Sequence, residues 1–177
     1  MATRLYFHQT SSSVSNLPTT EQSTLTADSG KNADAFTVNR SMNTTLGTAQ
    51  TSLSLTTVST TSLQTFYYTR FVSEQLSGVS SISANTWTYN AAYSNTQSNS
   101  RFPVLSAQPL KNVVIYVWRP STQTKVGGGN IFDGASPAIT RSAGTSELSL
   151  STTVSGAAVS GIVDGDVIVC EIWVSWT

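Results

Sequence analysis

Two aspartates flank a glycine at Asp164-Gly165-Asp166, and this spacing is the first point in the chain where chemistry is conceivable. Carboxylates two residues apart can share a calcium ion with backbone carbonyls. The same tripeptide is also a frequent β-turn, because Asp and Gly favour turn conformations on their own, and the turn is the preferred reading. Glu147 and Glu171 have the side chains of a glycosidase acid–base pair, but nothing in the sequence brings them together. Glu171 alternates onto the more polar side of its segment, where it is expected to be exposed or salt-bridged. The single histidine, His8, would have to serve any Ser-His-Asp triad, and no Gly-x-Ser-x-Gly elbow accompanies it. It reads as a solvated edge residue. One His and one Cys make no zinc cluster. Cys170 lies mid-strand on an apolar face and reads as a buried, inert thiol. Gly127-Gly128-Gly129 lacks the Lys-Ser/Thr that follows a phosphate-binding loop. No catalytic residue, cofactor or metal is expected.

The aromatic residues are the remaining candidates. Trp87, Tyr89 and Tyr93 recur at even spacing, and with Trp118 they are the residues that could stack on sugar rings. Aromatics at period two in a β protein are more often buried. Tyr67, Phe71 and Trp173 lie on the second face of otherwise core-forming segments and are expected at a subunit interface. The sequons at Asn39 and Asn43 fit glycosylation rules but read as chance in a chain so rich in Ser, Thr and Asn.

The elements that must position these residues are strands. Asp166–Thr177, DVIVCEIWVSWT, alternates Ile168, Cys170, Ile172, Val174 and Trp176 against Val167, Val169, Glu171, Trp173 and Ser175. Period two with a solid apolar face marks a strand over a core. Lys111–Arg119, KNVVIYVWR, is the next strongest, and Pro120 begins a turn into a short return strand ending at Val126. Further strands are expected at Thr3–His8, Ser52–Val58, Gln64–Ser73, Ile82–Tyr93 and Glu147–Thr153. Phe66, Tyr68, Val113, Ile115, Val117, Ile168, Cys170, Ile172 and Val174 should fill the core. Lys111–Arg119 and Thr3–His8 are the candidate partners of the C-terminal strand. Residues 9–43 are polar with scattered apolar residues and read as an extended loop or arm. No eleven-residue window has helical apolar spacing. Short strands with turn signals between them predict an antiparallel sandwich or barrel.

Composition sets the class. The 177 residues suffice for one domain. Lys plus Arg and Asp plus Glu are 9 each, the net charge is zero, and only 10% of residues are charged. Ser and Thr make up roughly a third of the chain, well above the norm. Such a surface has no basic field for nucleic acid and no basic amphipathic helix for a membrane. MATRLYFHQT has no apolar signal region, so synthesis in a cytoplasm is expected.

The segments KNVVIYVWRPSTQTKVGG and ELSLSTTVSGAAVSGIVDGDVIVCEIWVSWT together resemble the C-terminal part of small structural proteins of tailed-bacteriophage virions. In these a "YxWRPS" strand and turn precedes a "V.DGDV.V.EIW" terminal strand. The resemblance covers about the last seventy residues, and the MATRLYFH start is similar too. It implies a β-sandwich, often of jelly-roll type, present in many copies, as in capsid decoration (cement) proteins or neck and tail components. The expectation is therefore a non-enzymatic virion protein, made in the host cytoplasm, most simply a decoration protein bound to the major capsid protein or other virion proteins. It should be a homotrimer, with the arm or the second face of Gln64–Ser73 in contacts. The alternatives are a neck or tail protein and a carbohydrate-binding adhesion module. Low charge suits assembly contacts that depend little on salt.

Overall fold

A computed structural model of the chain describes residues 4–18, 39–45, 64–93, 111–135 and 148–176. The described residues are all-β. In chain order the strands are β1 (Tyr6–Ser11), β2 (Asn39–Asn43), β3 (Gln64–Ser73), β4 (Ser81–Ile82), β5 (Asn85–Tyr93), β6 (Lys111–Arg119), β7 (Thr124–Lys125), β8 (Phe132–Ala135), β9 (Leu148–Gly156), β10 (Val159–Ser160) and β11 (Val167–Trp176). A 3-10 turn, Val126–Gly128, separates β7 from β8.

The large sheet runs β1-β2-β3-β11-β6-β7, with β8 also pairing β6. β11 is central because it is apolar on both sides. Ile168, Cys170 and Ile172 join one buried cluster with Phe71, Met42, Val113, Ile115 and Val117. Val167 and Val169 join a second with Val72, Val114 and Tyr116 on the opposite face. A strand buried on both faces needs partners on both edges, since each unpaired backbone group out of water is costly. β6 supplies one edge, antiparallel, from Val167 opposite Trp118 to Ile172 opposite Val113. β3 supplies the other, also antiparallel. Phe132, Ile131 and Val126, brought in by the β7–β8 return along β6, and Val159 and Ile162 close the first cluster, with Leu76, Val79, Ile82 and Trp87 packed against it. The expected core residues Val113, Ile115, Val117, Ile168, Cys170 and Ile172 are all buried. The side chains of Phe66, Tyr68 and Val174 fall outside the described residues.

Several expectations need correction. The sheet is mixed rather than antiparallel: β2 runs parallel to β3, with Asn39 opposite Arg70 and Met42 opposite Ser73. The N-terminal strand does not reach the C-terminal one. β1 pairs β2, and β3 takes the place beside β11, where its Phe71 and Val72 feed both clusters. The 9–43 arm therefore contains the end of β1 and all of β2. β2, NRSMN, carries one buried apolar residue, Met42, and is placed by the strand it docks on rather than by its own pattern. Ile82–Tyr93 divides into β4, paired with β10, and β5, paired over nine residues with β9. The Ser52–Val58 strand lies outside the described residues. In the β3–β11 ladder Ile172 faces Thr69 but Trp173 faces Tyr67, so Tyr68 is an extra residue. Such a bulge breaks strict alternation, and faces counted through Gln64–Ser73 from sequence do not carry across it.

Gly156 is a close-approach position. A Cβ there would lie 2.4 Å from Trp87 Cδ1 and 2.6 Å from its Nε1, with the Ile131 carbonyl oxygen at 3.1 Å. Gly156→Ala forces the half-buried indole to move, and overpacking of this kind costs about 1–3 kcal/mol. A melting temperature lower by several degrees is expected. Gly129→Ala should leave it unchanged, because Gly129 has an extended backbone (φ −135) and open space around its Cα.

Candidate functional site

The second face of the sheet holds a line of polar groups across five strands, from β2 to β7. Arg70 on β3 stands opposite Glu171 on β11, and its Nη2 donates to Glu171 Oε1 at 2.9 Å. Tyr116 on β6, two residues along from the direct cross-strand partner, donates its hydroxyl to the same oxygen at 2.9 Å. Arg70 Nη1 donates to Asn39 Oδ1 on β2 at 3.3 Å. Lys125 Nζ lies 4.6 Å from the centre of the Tyr116 ring and donates to Asn130 Oδ1 at 2.8 Å. Glu171 is 0% exposed and Arg70 4%. A carboxylate this deep is tolerable only when paired and hydrogen-bonded, and here both conditions are met. Of the two expectations for Glu171, exposed or salt-bridged, the structure gives the salt bridge.

A second ion pair lies where β11 begins. Arg119, the last residue of β6, grips Asp166 with two parallel bonds, Nε to Oδ1 at 2.9 Å and Nη2 to Oδ2 at 2.8 Å. Its Nη2 also donates to the Gly161 carbonyl, and the Val163 amide donates to Asp166 Oδ2. The bidentate bond to Arg119 is the main reason the Asp166 carboxyl is held below the usual carboxylate range. Burial opposes it, and the Val163 amide and the guanidinium charge add to it. The same bond raises Arg119. Gly165 adopts φ 94, a left-handed conformation suited to glycine. The turn is laced to the segment that follows β3: Gly165 N–H donates to the Leu76 carbonyl, Leu76 N–H to the Asp166 carbonyl, and Gly78 N–H to Asp164 Oδ1. Asp164 and Asp166 thus build a turn and spend their oxygens on backbone and Arg119. Among the described residues no three His, Cys, Asp or Glu side chains gather as metal ligands. Glu147 lies outside them.

The other sequence candidates fall as follows. Cys170 is buried, and burial, with the Glu171 charge beside it, pushes its thiol far up, so it stays protonated. His8 is half-buried and pairs through Nε2 with Asn43 Oδ1 at 2.9 Å across the β1–β2 ribbon. Phe71, expected at an interface, is instead buried in the chain's own core, stacked on Phe7 with ring centres 4.1 Å apart. Tyr67 and Trp173 are direct cross-strand partners, and their side chains fall outside the described residues, as do those of Tyr89 and Tyr93. Trp118 is half-buried, packed like Val14 and Leu17 against the second buried cluster, and its Nε1 donates to the Asn16 carbonyl at 2.7 Å. Trp87 has its edge against Gly156. The two described indoles are thus engaged within the chain rather than laid out together as a stacking platform. The residue that sequence reasoning missed is Arg70. The signal was there: a lone Arg in TFYYTRFVS, among apolar neighbours, needs a buried partner.

Two consequences can be measured. Glu171→Gln keeps the shape but removes the carboxylate charge that faces Arg70, and breaking a buried pair from one side costs about 3–5 kcal/mol. The double variant Arg70→Met/Glu171→Leu should recover most of that loss in urea melts. For Asp166 the folded pKa is depressed, so its stabilisation is complete above the unfolded value of about 3.9 and is lost as pH falls through the folded one. Asp166→Asn should be less stable than wild type at neutral pH, and the two urea midpoints should draw together as pH falls through and below the ordinary carboxylate range.

No helix among the described residues is long and apolar enough to cross a membrane. The chain matches no protein-family model, no curated protein and no solved structure.

Proposed function

We propose that the chain is a non-enzymatic structural component of a tailed-phage particle, a capsid decoration protein that stabilises the shell through contacts between subunits. The observation that carries the reading is how the residues of the phage-like pattern meet in space. Arg119 of the "WRP" part grips Asp166 of the "DGD" part, and Tyr116 of the first strand donates to Glu171 of the terminal "EIW". The two separated motifs work as one unit, joining β6 to β11. This supports reading them as a single inherited pattern.

Two further inferences belong to this reading. The first buried cluster joins the large sheet to residues of β5, β4, β10 and the 3-10 turn, an arrangement that a β-sandwich of the jelly-roll kind would produce within one domain. Four of the described ionic groups pair inside the chain, at Arg70–Glu171 and Arg119–Asp166. This favours assembly contacts made through shape and backbone pairing, which screen little with salt. The partner is the major capsid protein or another virion protein, and the oligomer is a homotrimer.

Quantitative mass spectrometry of purified particles tests the proposal. A decoration protein is present in on the order of hundreds of copies, following the repeated symmetry of the shell. A dozen or fewer would move it to the neck or tail, and absence from the particle would overturn the virion reading altogether.

A further inference from the structure

After β1 the chain leaves the sheet and lies across its second face. Ser12 N–H donates to the Asn39 carbonyl on β2 at 2.7 Å, and Ser12 Oγ accepts from the Val14 amide. Val14 and Leu17 pack on the cluster of Val72, Val114, Tyr116, Val167 and Val169. Asn16 turns the chain through a left-handed conformation, φ 55, which Asn tolerates better than most residues. Its carbonyl accepts from Trp118 Nε1 on β6 at 2.7 Å. Residues 12–18 thus reach from β2 to β6, over β3 and β11. They form no strand, so they lie on the ladder without sharing in it. Ser13, Ser15 and Asn16 are exposed. The Arg70–Glu171 pair and the Tyr116 hydroxyl lie on this same face, because Glu171 shares its side of β11 with Val167 and Val169.

We propose that residues 12–18 are a strap that opens by itself, with the sheet beneath intact, and that its opening lets water onto the Arg70–Glu171 pair. Two observations carry this. Among the described residues the strap is held by two apolar side chains and by hydrogen bonds at its two ends. Elements with few buried contacts and no ladder open at lower free energy than the core they cover. The surface beneath is also not purely apolar. Ions regain hydration when a buried pair is wetted, so the pair offsets part of the cost of exposing the valines around it. Closed, the strap seals the charge pair that aligns β11. Open, it presents an apolar face with a carboxylate, a guanidinium and a phenol at its centre. The inference uses only contacts within one chain and does not depend on the virion reading.

Thiol labelling of the full chain under native conditions tests this. Val114→Cys places a thiol on β6 at the second face, where Val114 is 0% exposed. Cys170, buried on the opposite face of β11, reports opening of the whole sheet in the same molecule. Peptide mass spectrometry follows both thiols, and the introduced one should react faster than Cys170. Trp118→Phe removes the indole donor and should speed the introduced thiol by about three- to tenfold, the worth of one hydrogen bond, with less change at Cys170. Leu17→Ala, on the strap itself, should act in the same direction. Arg70→Met/Glu171→Leu should slow the introduced thiol, since opening then exposes only apolar surface. Val72→Cys, at the β3 end of the same cluster, repeats the measurement should Val114→Cys fail to fold. If the introduced thiol and Cys170 react in step, the strap opens only with the whole fold and the proposal fails. If the double variant labels no more slowly, the pair does not ease the opening and that half of the proposal is overturned.

Discussion

The fold depends on one buried carboxylate. Glu171 stands in the middle of β11 with no exposed surface, and it can be there only because Arg70 faces it from one neighbouring strand and Tyr116 reaches it from the other. This condition fixes register on both sides of β11. A slip of one residue would set Glu171 opposite Ile115 and Phe71 and place Ile172 opposite Arg70. An apolar strand with two apolar faces has little else to distinguish one register from the next. The charge pair gives each wrong register a desolvation penalty without repayment, which is the best-attested use of buried ionic groups even where their net stabilisation is small.

The second ion pair acts on the start of the same strand. Arg119 closes β6 and Asp166 opens β11, so the grip between them sets where the ladder begins, while the Arg70–Glu171 pair sets how it is aligned. The turn between Val163 and Asp166 adds backbone bonds to the segment that follows β3. Ser73 Oγ, at the end of β3, accepts from the Ile168 amide and donates to the Glu74 carbonyl. Three strands are therefore tied together at one end by polar groups and along their length by apolar ones. In a chain with only nine acidic and nine basic residues, using two of each internally leaves an even less charged exterior, and contacts with other molecules then depend on shape more than on long-range attraction.

These terms explain what the sequence made legible. β3, β6 and β11 were readable because each is a long run of β-branched and aromatic residues, and the expected bounds of Gln64–Ser73 and Lys111–Arg119 agree with the structure to within a residue. β2 was not readable. NRSMN alternates nothing, and its conformation is imposed by the edge of β3 and by Arg70. β8 was hidden for a similar reason: four residues after a glycine run become a strand because β6 offers an edge. Of the two expected partners of β11, Lys111–Arg119 does pair with it, but the other was misjudged, because apolar pattern ranks strands and does not pair them, and Thr3–His8 and Gln64–Ser73 both qualified. At the site, alternation placed Glu171 on a polar face. Its neighbours on that face, Val167 and Val169, are in fact buried, and a single acid among valines signals a buried pair more than an exposed one. The bulge at Tyr68 has no sequence signature, since it arises from the meeting of two strands.

The edges of the large sheet decide how such a protein can associate. On one side β6 is covered by two short pieces, β7 and β8, with a 3-10 turn between them, so no continuous ladder is offered there. On the other, β1 has a register irregularity between Phe7 and Ser11, a feature that natural sheets use to discourage edge-to-edge pairing. Simple sheet extension is thus disfavoured at both ends of the order.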